Sequence, residues 1–137
     1  MTAIYTPKKL FHFALICLFI RIIFAIWLPF TGDEAYFAIW GMKPDLGYYD
    51  HTPLVGWLLY PLLKFGNIPW LLRLPSVILP ACIAFGIYQI LKKFDVQKAV
   101  LASLLFLTIP LNLFFPLIST DVPLIFFSFY AAYFLYR

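Results

Sequence analysis

The run LFHFALICLFIRIIFAIWLPF, residues 10–30, decides the fold. It is apolar almost throughout, and Arg21 is its only residue among Lys, Arg, Asp and Glu. About 20 apolar residues in a helix cross the roughly 30 Å hydrocarbon core of a bilayer, so the run predicts a membrane-spanning helix. The core of a cleaved signal peptide is usually about 7–15 residues and is followed by a small-x-small site, which is missing here. An uncleaved span is therefore the better interpretation.

The rest of the chain has the same character. It is 64% hydrophobic and only 12% charged, whereas soluble domains are nearer half apolar and about one quarter charged. Further apolar runs cover Leu74–Leu91 and Ala99–Ile118, and a shorter one begins at Val122 and reaches Tyr136. These patterns predict an all-α fold, a polytopic transmembrane bundle of about four spanning helices. The chain ends before the fourth span is complete, so we expect it to be truncated.

The charges predict an orientation and argue against nucleic acid as a partner. Basic residues flank the apolar runs instead of forming a stripe with aromatics between them. With the N-terminus in the cytoplasm, most basic residues lie inside and most acids outside, as expected for a multi-pass protein of the inner (plasma) membrane. The inner set is Lys8, Lys9, Lys92, Lys93, Lys98 and Arg137, and the outer acids are Asp33, Glu34, Asp45, Asp50 and Asp121.

The outer loop, residues 31–73, contains two predicted surface helices. One opens at Thr31–Glu34, which has the spacing of a capping box, and continues through Trp40. The other lies in TPLVGWLLYPLLKFG, residues 52–66, with Thr52 as cap, Pro53 at the first helical position and Gly66 at the end. Both are expected to lie along the membrane surface because of their apolar and aromatic content.

Two acidic positions stand out at the lipid–water boundary. Asp33 and Glu34 are adjacent, and Asp121 opens the fourth apolar segment. Each has an ordinary structural explanation, because acids cap helices and favour their first turns. A carboxylate there can also act as a general base or hold a cation. Since Asp33 and Asp121 are predicted on the same side at similar depth, one shared site is a second interpretation.

Two cationic candidates accompany the acids. His51 lies beside Asp50 next to a predicted surface helix, where an imidazole could bind a phosphate oxygen. Arg21 falls near the middle of the first span, where a charge is costly and usually faces a partner or a water-filled cavity. The structural alternatives are a solvated histidine, and an arginine paired with a carboxylate or with carbonyls of a neighbouring helix.

Taken together, these motifs resemble the polyprenyl-phosphate-sugar-dependent membrane glycosyltransferases. These are the protein mannosyltransferase-like group (glycosyltransferase family 39), which includes the aminoarabinose transferases that modify lipid A. The resemblance covers nearly the whole chain and is carried by GDEAYFAIW, LGYYDHTPLVGWLLYPLLKFG, RLPSVI and STDVPLIFF. It implies the N-terminal part of a GT-C-type transmembrane domain, with its active site at the outer membrane surface, working in lipopolysaccharide or protein glycosylation.

The resemblance also implies roles for residues. Asp33 matches the acid of the first outer loop and would be the base, Glu34 completes that motif, and Asp121 matches a second acidic position. His51 stands where the aminoarabinose-transferase subgroup has a lysine near the lipid phosphate, which leaves the donor sugar open. The donor would be a polyprenyl-phosphate-linked sugar, and transfer would invert the anomeric carbon. A cation would stabilise the leaving phosphate, and the candidates are His51, Arg21 and a divalent metal, whose requirement is undecided.

Relatives of this kind are several times longer, so we expect the chain to be a fragment that does not catalyse transfer without a C-terminal portion. Two alternatives to a glycosyltransferase remain. One is a small multispan protein that binds a lipid or a partner without catalysis. The other is a transporter segment, in which charges such as Arg21 would face each other through the depth of the membrane.

Overall fold

The computed structural model describes residues 6–136, and every regular element in that range is an α-helix, as the sequence predicted. The helices are α1 (Pro7–Trp27), α2 (Gly32–Met42), α3 (Leu54–Leu63), α4 (Pro69–Leu72), α5 (Leu74–Leu91), α6 (Val96–Thr108), α7 (Pro110–Phe114) and α8 (Asp121–Tyr136).

Two of these helical segments are long and apolar enough to cross a membrane. One is α1, with 21 residues, and the other is the segment Pro69–Leu91, with 23 residues, in which α4 leads into α5. The helices α3, α6 and α8 are apolar but shorter. Many large apolar side chains face outward, including Phe19 and Ile26 of α1, as expected of helices whose solvent is lipid. The architecture is that of a helical membrane bundle.

The third predicted span, Ala99–Ile118, is wrong as a single helix. The helix α6 has 13 residues and ends at Thr108, so it is about 20 Å long at 1.5 Å per residue. Pro110 has no N–H to continue the helix and disfavours the helical conformation at the residue before it. The chain restarts as the short α7 and then runs without regular structure past Pro116 to Thr120. The apolar run concealed this break.

The two surface helices of the outer loop are present. Thr31 and Glu34 form the predicted capping box: the Thr31 N–H donates to Glu34 Oε2 (3.0 Å) and the Glu34 N–H donates to Thr31 Oγ1 (3.3 Å). The predicted cap at Thr52 is wrong, because Pro53 occupies the capping position of α3 and supplies no side-chain acceptor. Gly66 closes that segment as predicted, with a φ of 129° that favours glycine.

The bundle has two distinct ends. At one, which we call the Arg73 end, α1 terminates, α2 packs on α3, and α5 and α8 begin. Its core consists of Phe37, Ala38, Trp40, Val55, Leu59, Leu72 and Ile118. At the other, the lysine end, α1 and α6 begin and α5 terminates. The Tyr130 hydroxyl in α8 donates to the Cys82 carbonyl in α5 (2.8 Å), so these two helices run side by side from the Arg73 end.

Candidate active site at the Arg73 end

A buried ion pair lies at the centre of the Arg73 end. Arg73 Nε donates to Glu34 Oε1 (2.7 Å) and Arg73 Nη2 donates to Glu34 Oε2 (2.6 Å). The two side chains are 0% and 1% exposed. This is the two-pronged geometry in which a guanidinium binds a carboxylate most strongly. It joins the first turn of α2 to the start of α5, 39 positions apart in the chain.

The remaining donors of Arg73 fasten the end of α1. Arg73 Nη1 donates to the carbonyls of Ala25 (2.8 Å) and Leu28 (2.9 Å), and Nη2 donates to that of Pro29 (2.8 Å). The carbonyl of Ala25 has no helical partner because the residue four positions on, Pro29, lacks an N–H. Arg73 therefore satisfies a carbonyl that a proline left free, and its five donors are all used.

Glu34 reaches a third part of the chain. Its Oε1 accepts the backbone N–H of Ile118 (3.1 Å), in the segment that precedes α8. Burial alone would raise the pKa of Glu34, but the hydrogen bonds from Arg73, Thr31 and Ile118 and the charge of Arg73 together lower it below its ordinary value. Glu34 is therefore a buried carboxylate that stays ionised and joins α2, α5 and the segment before α8.

Asp33, the neighbour of Glu34, has the opposite environment. It is exposed in the first turn of α2, and helical spacing places it on the same face as Tyr36 and Phe37. That face borders the loop carrying His51. The Tyr36 hydroxyl donates to Asp50 Oδ1 (3.4 Å), and the ring centroids of Phe37 and His51 are 6.2 Å apart. The exposed carboxylate of Asp33 thus lies one helical turn from Phe37, whose ring is near that of His51.

The loop that carries His51 is held by Tyr48. The Tyr48 ring stacks on Trp40 with centroids 4.4 Å apart, and its hydroxyl donates to the Trp40 carbonyl (2.7 Å). The Tyr48 N–H donates to the carbonyl of His51 (3.2 Å), which fixes the histidine backbone. The imidazole is 43% exposed, and its Nε2 lies 3.8 Å from the Asp50 carboxylate.

Asp121 is the first residue of α8 and is exposed. It follows Ile118 by three positions, so the N–H that Glu34 binds lies just before it. Asp33 and Asp121 therefore lie at the same end of the bundle, each next to a member of the same buried network. Within residues 6–136 the structure gives no direct contact between the two carboxylates, and their sharing of one cavity stays a prediction.

Arg21 lies inside the bundle, one turn of α1 before Ala25, whose carbonyl Arg73 binds. Its two terminal nitrogens donate to the carbonyls of Ser76 and Asn112, and the side chain is 3% exposed. Pro80 and Pro116 stand four positions beyond these carbonyls and cannot bond them. Arg21 Nε lacks a partner among the described residues. The structure thus gives Arg21 the partners of the structural alternative, and its binding of a donor phosphate stays a prediction.

The sequence profile of one known family, dolichyl-phosphate-mannose-protein mannosyltransferase, matches residues 50–137. The chain belongs to this family. It is a membrane glycosyltransferase of the GT-C type, as the sequence motifs indicated. The match includes His51, Arg73 and Asp121, whereas Asp33 and Glu34 lie before it. No curated protein and no solved structure matches the chain.

In this mannosyltransferase-family chain, sequence reasoning missed Arg73 as a member of the site. It used Arg73 only as the first residue of the RLPSVI motif. A usable signal was present: the chain has only 6 acidic residues, and an arginine bordering an apolar run has few possible partners. Within residues 6–136, no three His, Cys, Asp or Glu side chains are grouped so that they could hold a metal ion.

Proposed function

We propose that this protein transfers a sugar from a polyprenyl-phosphate donor to a hydroxyl group of a lipid, glycan or protein at the outer face of the membrane. The family to which it belongs is named for a donor of this class, mannose on dolichyl phosphate. The observation that carries the proposal is the network of Glu34, Arg73 and Ile118, because it holds Asp33 and Asp121 at one end of the bundle.

In this proposal Asp33 is the general base. An acceptor hydroxyl must lose its proton as it attacks the anomeric carbon, and a positioned carboxylate can accept that proton. Asp33 is exposed, so an acceptor can approach it. The donor's lipid tail stays in the bilayer, so the reacting carbon must lie near the interface. The first turn of α2, directly after the membrane-spanning α1, supplies a carboxylate at that depth.

Glu34 takes a different role from the catalytic one that the sequence suggested. Both of its oxygens accept hydrogen bonds from inside the protein, and it is 1% exposed. We therefore assign Glu34 and Arg73 to positioning: they fix the turn of α2 that carries Asp33. A catalytic group must be held to within a fraction of an ångström, and a buried two-pronged ion pair supplies that rigidity.

His51 and Asp121 complete the proposed site. When protonated, the imidazole of His51 can stabilise the charge that develops on the leaving phosphate. Asp121 supplies a second carboxylate at the same end, for the acceptor or for a divalent cation. Direct attack by the acceptor, with no covalent enzyme intermediate, inverts the anomeric carbon. The lysines at the opposite end support an orientation with the N-terminus in the cytoplasm and the Arg73 end outside.

The test is sugar transfer in membranes of cells whose own gene carries Asp33→Asn. Release of polyprenyl phosphate from a labelled polyprenyl-phosphate sugar is measured, because this product forms whatever the acceptor is. Loss of a general base lowers the rate about 10²–10⁴-fold. The matched control is Asp45→Asn, an exposed acid of the same loop, which should keep the wild-type rate. Equal rates for wild type and Asp33→Asn would remove Asp33 from the mechanism.

A further inference from the structure

An apolar cleft opens between α1, α5 and α6 at the lysine end, remote from Asp33. Its volume is about 260 Å³. Phe11 and Phe85 form its walls and are 63% and 58% exposed. The small side chains of Ala14, Ala81 and Ala84 line it between them, and these leave the space open. Because α1 and α5 belong to the segments that can cross a membrane, this cleft faces the hydrocarbon of the bilayer.

The rim of the cleft is basic. Lys92 Nζ lies 5.6 Å from the centroid of the Tyr88 ring, and Tyr88 lines the cleft. Lys8 is exposed and follows Pro7, which lines the opposite side. Asp95, the acidic residue at this end among residues 6–136, caps α6 and lies 3.8 Å from Lys98. Within residues 6–136, no carboxylate pairs with Lys8 or Lys92, so the rim keeps their positive charge.

We propose that this cleft binds one anionic phospholipid, with an acyl chain between Phe11 and Phe85 and the phosphate group at Lys8 and Lys92. An apolar cleft in a membrane protein is matched by a hydrocarbon chain, and basic residues at the end of membrane helices bind anionic headgroups. The charge complementarity of the rim selects the headgroup, and the apolar lining selects the chain. The proposal is independent of sugar transfer, because the residues involved lie at the opposite end of the bundle from Asp33.

The experiment is native mass spectrometry of the purified chain in detergent with equal amounts of phosphatidylglycerol and phosphatidylcholine of identical acyl chains. The wild type should retain one phosphatidylglycerol in preference to phosphatidylcholine. Each lysine near the headgroup contributes about fivefold in binding. We therefore expect Lys92→Gln and Lys8→Gln each to lower the preference by that factor. Equal retention of both lipids by the wild type would overturn the proposal.

Matched variants separate this site from general lipid binding. Lys64 also lies over a tyrosine, with its Nζ 4.5 Å from the Tyr60 ring centroid, but at the Arg73 end. Lys64→Gln should leave the preference unchanged, and an equal loss in Lys64→Gln and Lys92→Gln would contradict the site. Ala81→Phe fills the cleft and should abolish retention of both lipids, whereas Ala131→Phe on the exposed part of α8 should not.

A competition arm distinguishes the occupant. Phosphatidylglycerol should remain bound when a polyprenyl phosphate is added in equal amount. Its displacement from wild type, together with loss of polyprenyl-phosphate binding in Ala81→Phe, would show that the cleft holds the tail of a polyprenyl lipid and would overturn the phospholipid proposal. Neither result bears on the role of Asp33, which the transfer assay tests separately.

Discussion

Within residues 6–136 two arginines are buried: Arg73 at the Arg73 end, and Arg21 deeper in the bundle. Both satisfy carbonyls that prolines left free: Arg73 binds that of Ala25, and Arg21 binds those of Ser76 and Asn112. Only Arg73 also has a carboxylate, Glu34. The charge of Arg73 is therefore balanced, whereas the charge of Arg21 is met by backbone dipoles alone.

The difference indicates what each region does. Carbonyls that lack helical partners inside a bundle must be satisfied, and an arginine can bind several of them at once. The role of Arg21 is limited to satisfying carbonyls where the helical hydrogen bonds are interrupted, because both of its partners lie inside the bundle. Arg73 serves the same need but also holds Glu34, the neighbour of the exposed Asp33. The transporter alternative predicted charges facing each other through the membrane, and Arg21 faces carbonyls instead.

The largest effect is expected from breaking the balanced pair. Arg73→Met leaves the carboxylate of Glu34 buried without its cation, and removal of one partner of a buried ion pair costs about 3–5 kcal/mol. We expect a large drop in the thermal midpoint of the protein in detergent. The rate of sugar transfer should also fall, because the turn carrying Asp33 loses its anchor.

A double-mutant cycle completes that test. Glu34→Gln alone should also destabilise the protein, and Arg73→Met combined with Glu34→Gln should cost less than the sum of the two, because the second change removes the charge that the first left unpaired. Additive losses would show that the two side chains act independently and would contradict the central role of the pair.

A smaller effect is expected at the centre of the bundle. Arg21→Met removes a charge that has no opposite charge, so the loss is that of two unsatisfied carbonyls, each about 1–3 kcal/mol, offset by the relief of burying the arginine. The thermal midpoint should fall by less than in Arg73→Met. Sugar transfer per folded molecule separates the two roles of Arg21: an unchanged rate supports the structural role, and a lowered rate supports binding of the donor phosphate.

A second substitution should restore part of the stability lost in Arg21→Met if Arg21 serves a carbonyl that a proline left free. Pro80→Ala restores an N–H that can bond the Ser76 carbonyl, so it should recover part of the stability lost in Arg21→Met. The same change in the wild type should give a smaller gain, since Arg21 already occupies that carbonyl. An equal gain in both backgrounds would mean that Arg21 does not serve the carbonyl freed by Pro80.

Contacts between residues close together in the chain could be predicted from the sequence, whereas pairing between distant residues could not. The capping box of Thr31 and Glu34 depends on neighbours three positions apart, so its spacing predicted it. The pairing of Glu34 with Arg73 depends on how α2 and α5 meet, which composition and periodicity do not contain. The break at Pro110 was visible in the sequence, but hydropathy averaged over the run Ala99–Ile118 concealed it.

Lowering the pH should distinguish the contributions of Arg73 and Arg21 to stability, because only Arg73 has a titratable partner, Glu34. The pKa of Glu34 is lowered in the folded protein, so the stabilisation is fully present above the unfolded value, about 4.3. It is lost as the pH falls through that value toward the folded one, because the unfolded chain then binds the proton more readily. Thermal midpoints of wild type and Arg21→Met should fall together in this range.

The control for that titration is the variant with Arg73→Met and Glu34→Gln combined, which has no titrating carboxylate at this position. Its thermal midpoint should depend less on pH between about 5 and 3 than that of the wild type. The same slope in both proteins would assign the acid sensitivity to exposed carboxylates and not to Glu34.

The smallest expected effect lies where the Arg73 end meets water. The Tyr48 hydroxyl donates to the Trp40 carbonyl (2.7 Å) and accepts the Asp45 N–H (3.2 Å), and these bonds involve no charge. Tyr48→Phe keeps the ring stacked on Trp40, so we expect a loss of about 1 kcal/mol. It should raise KM for the donor more than it lowers kcat, because loss of the hydroxyl removes its bonds to Trp40 and Asp45 and loosens the loop that carries His51. Tyr49→Phe, at a fully exposed ring, should change neither quantity, and equal effects from the two variants would mean that Tyr48 does not position the loop.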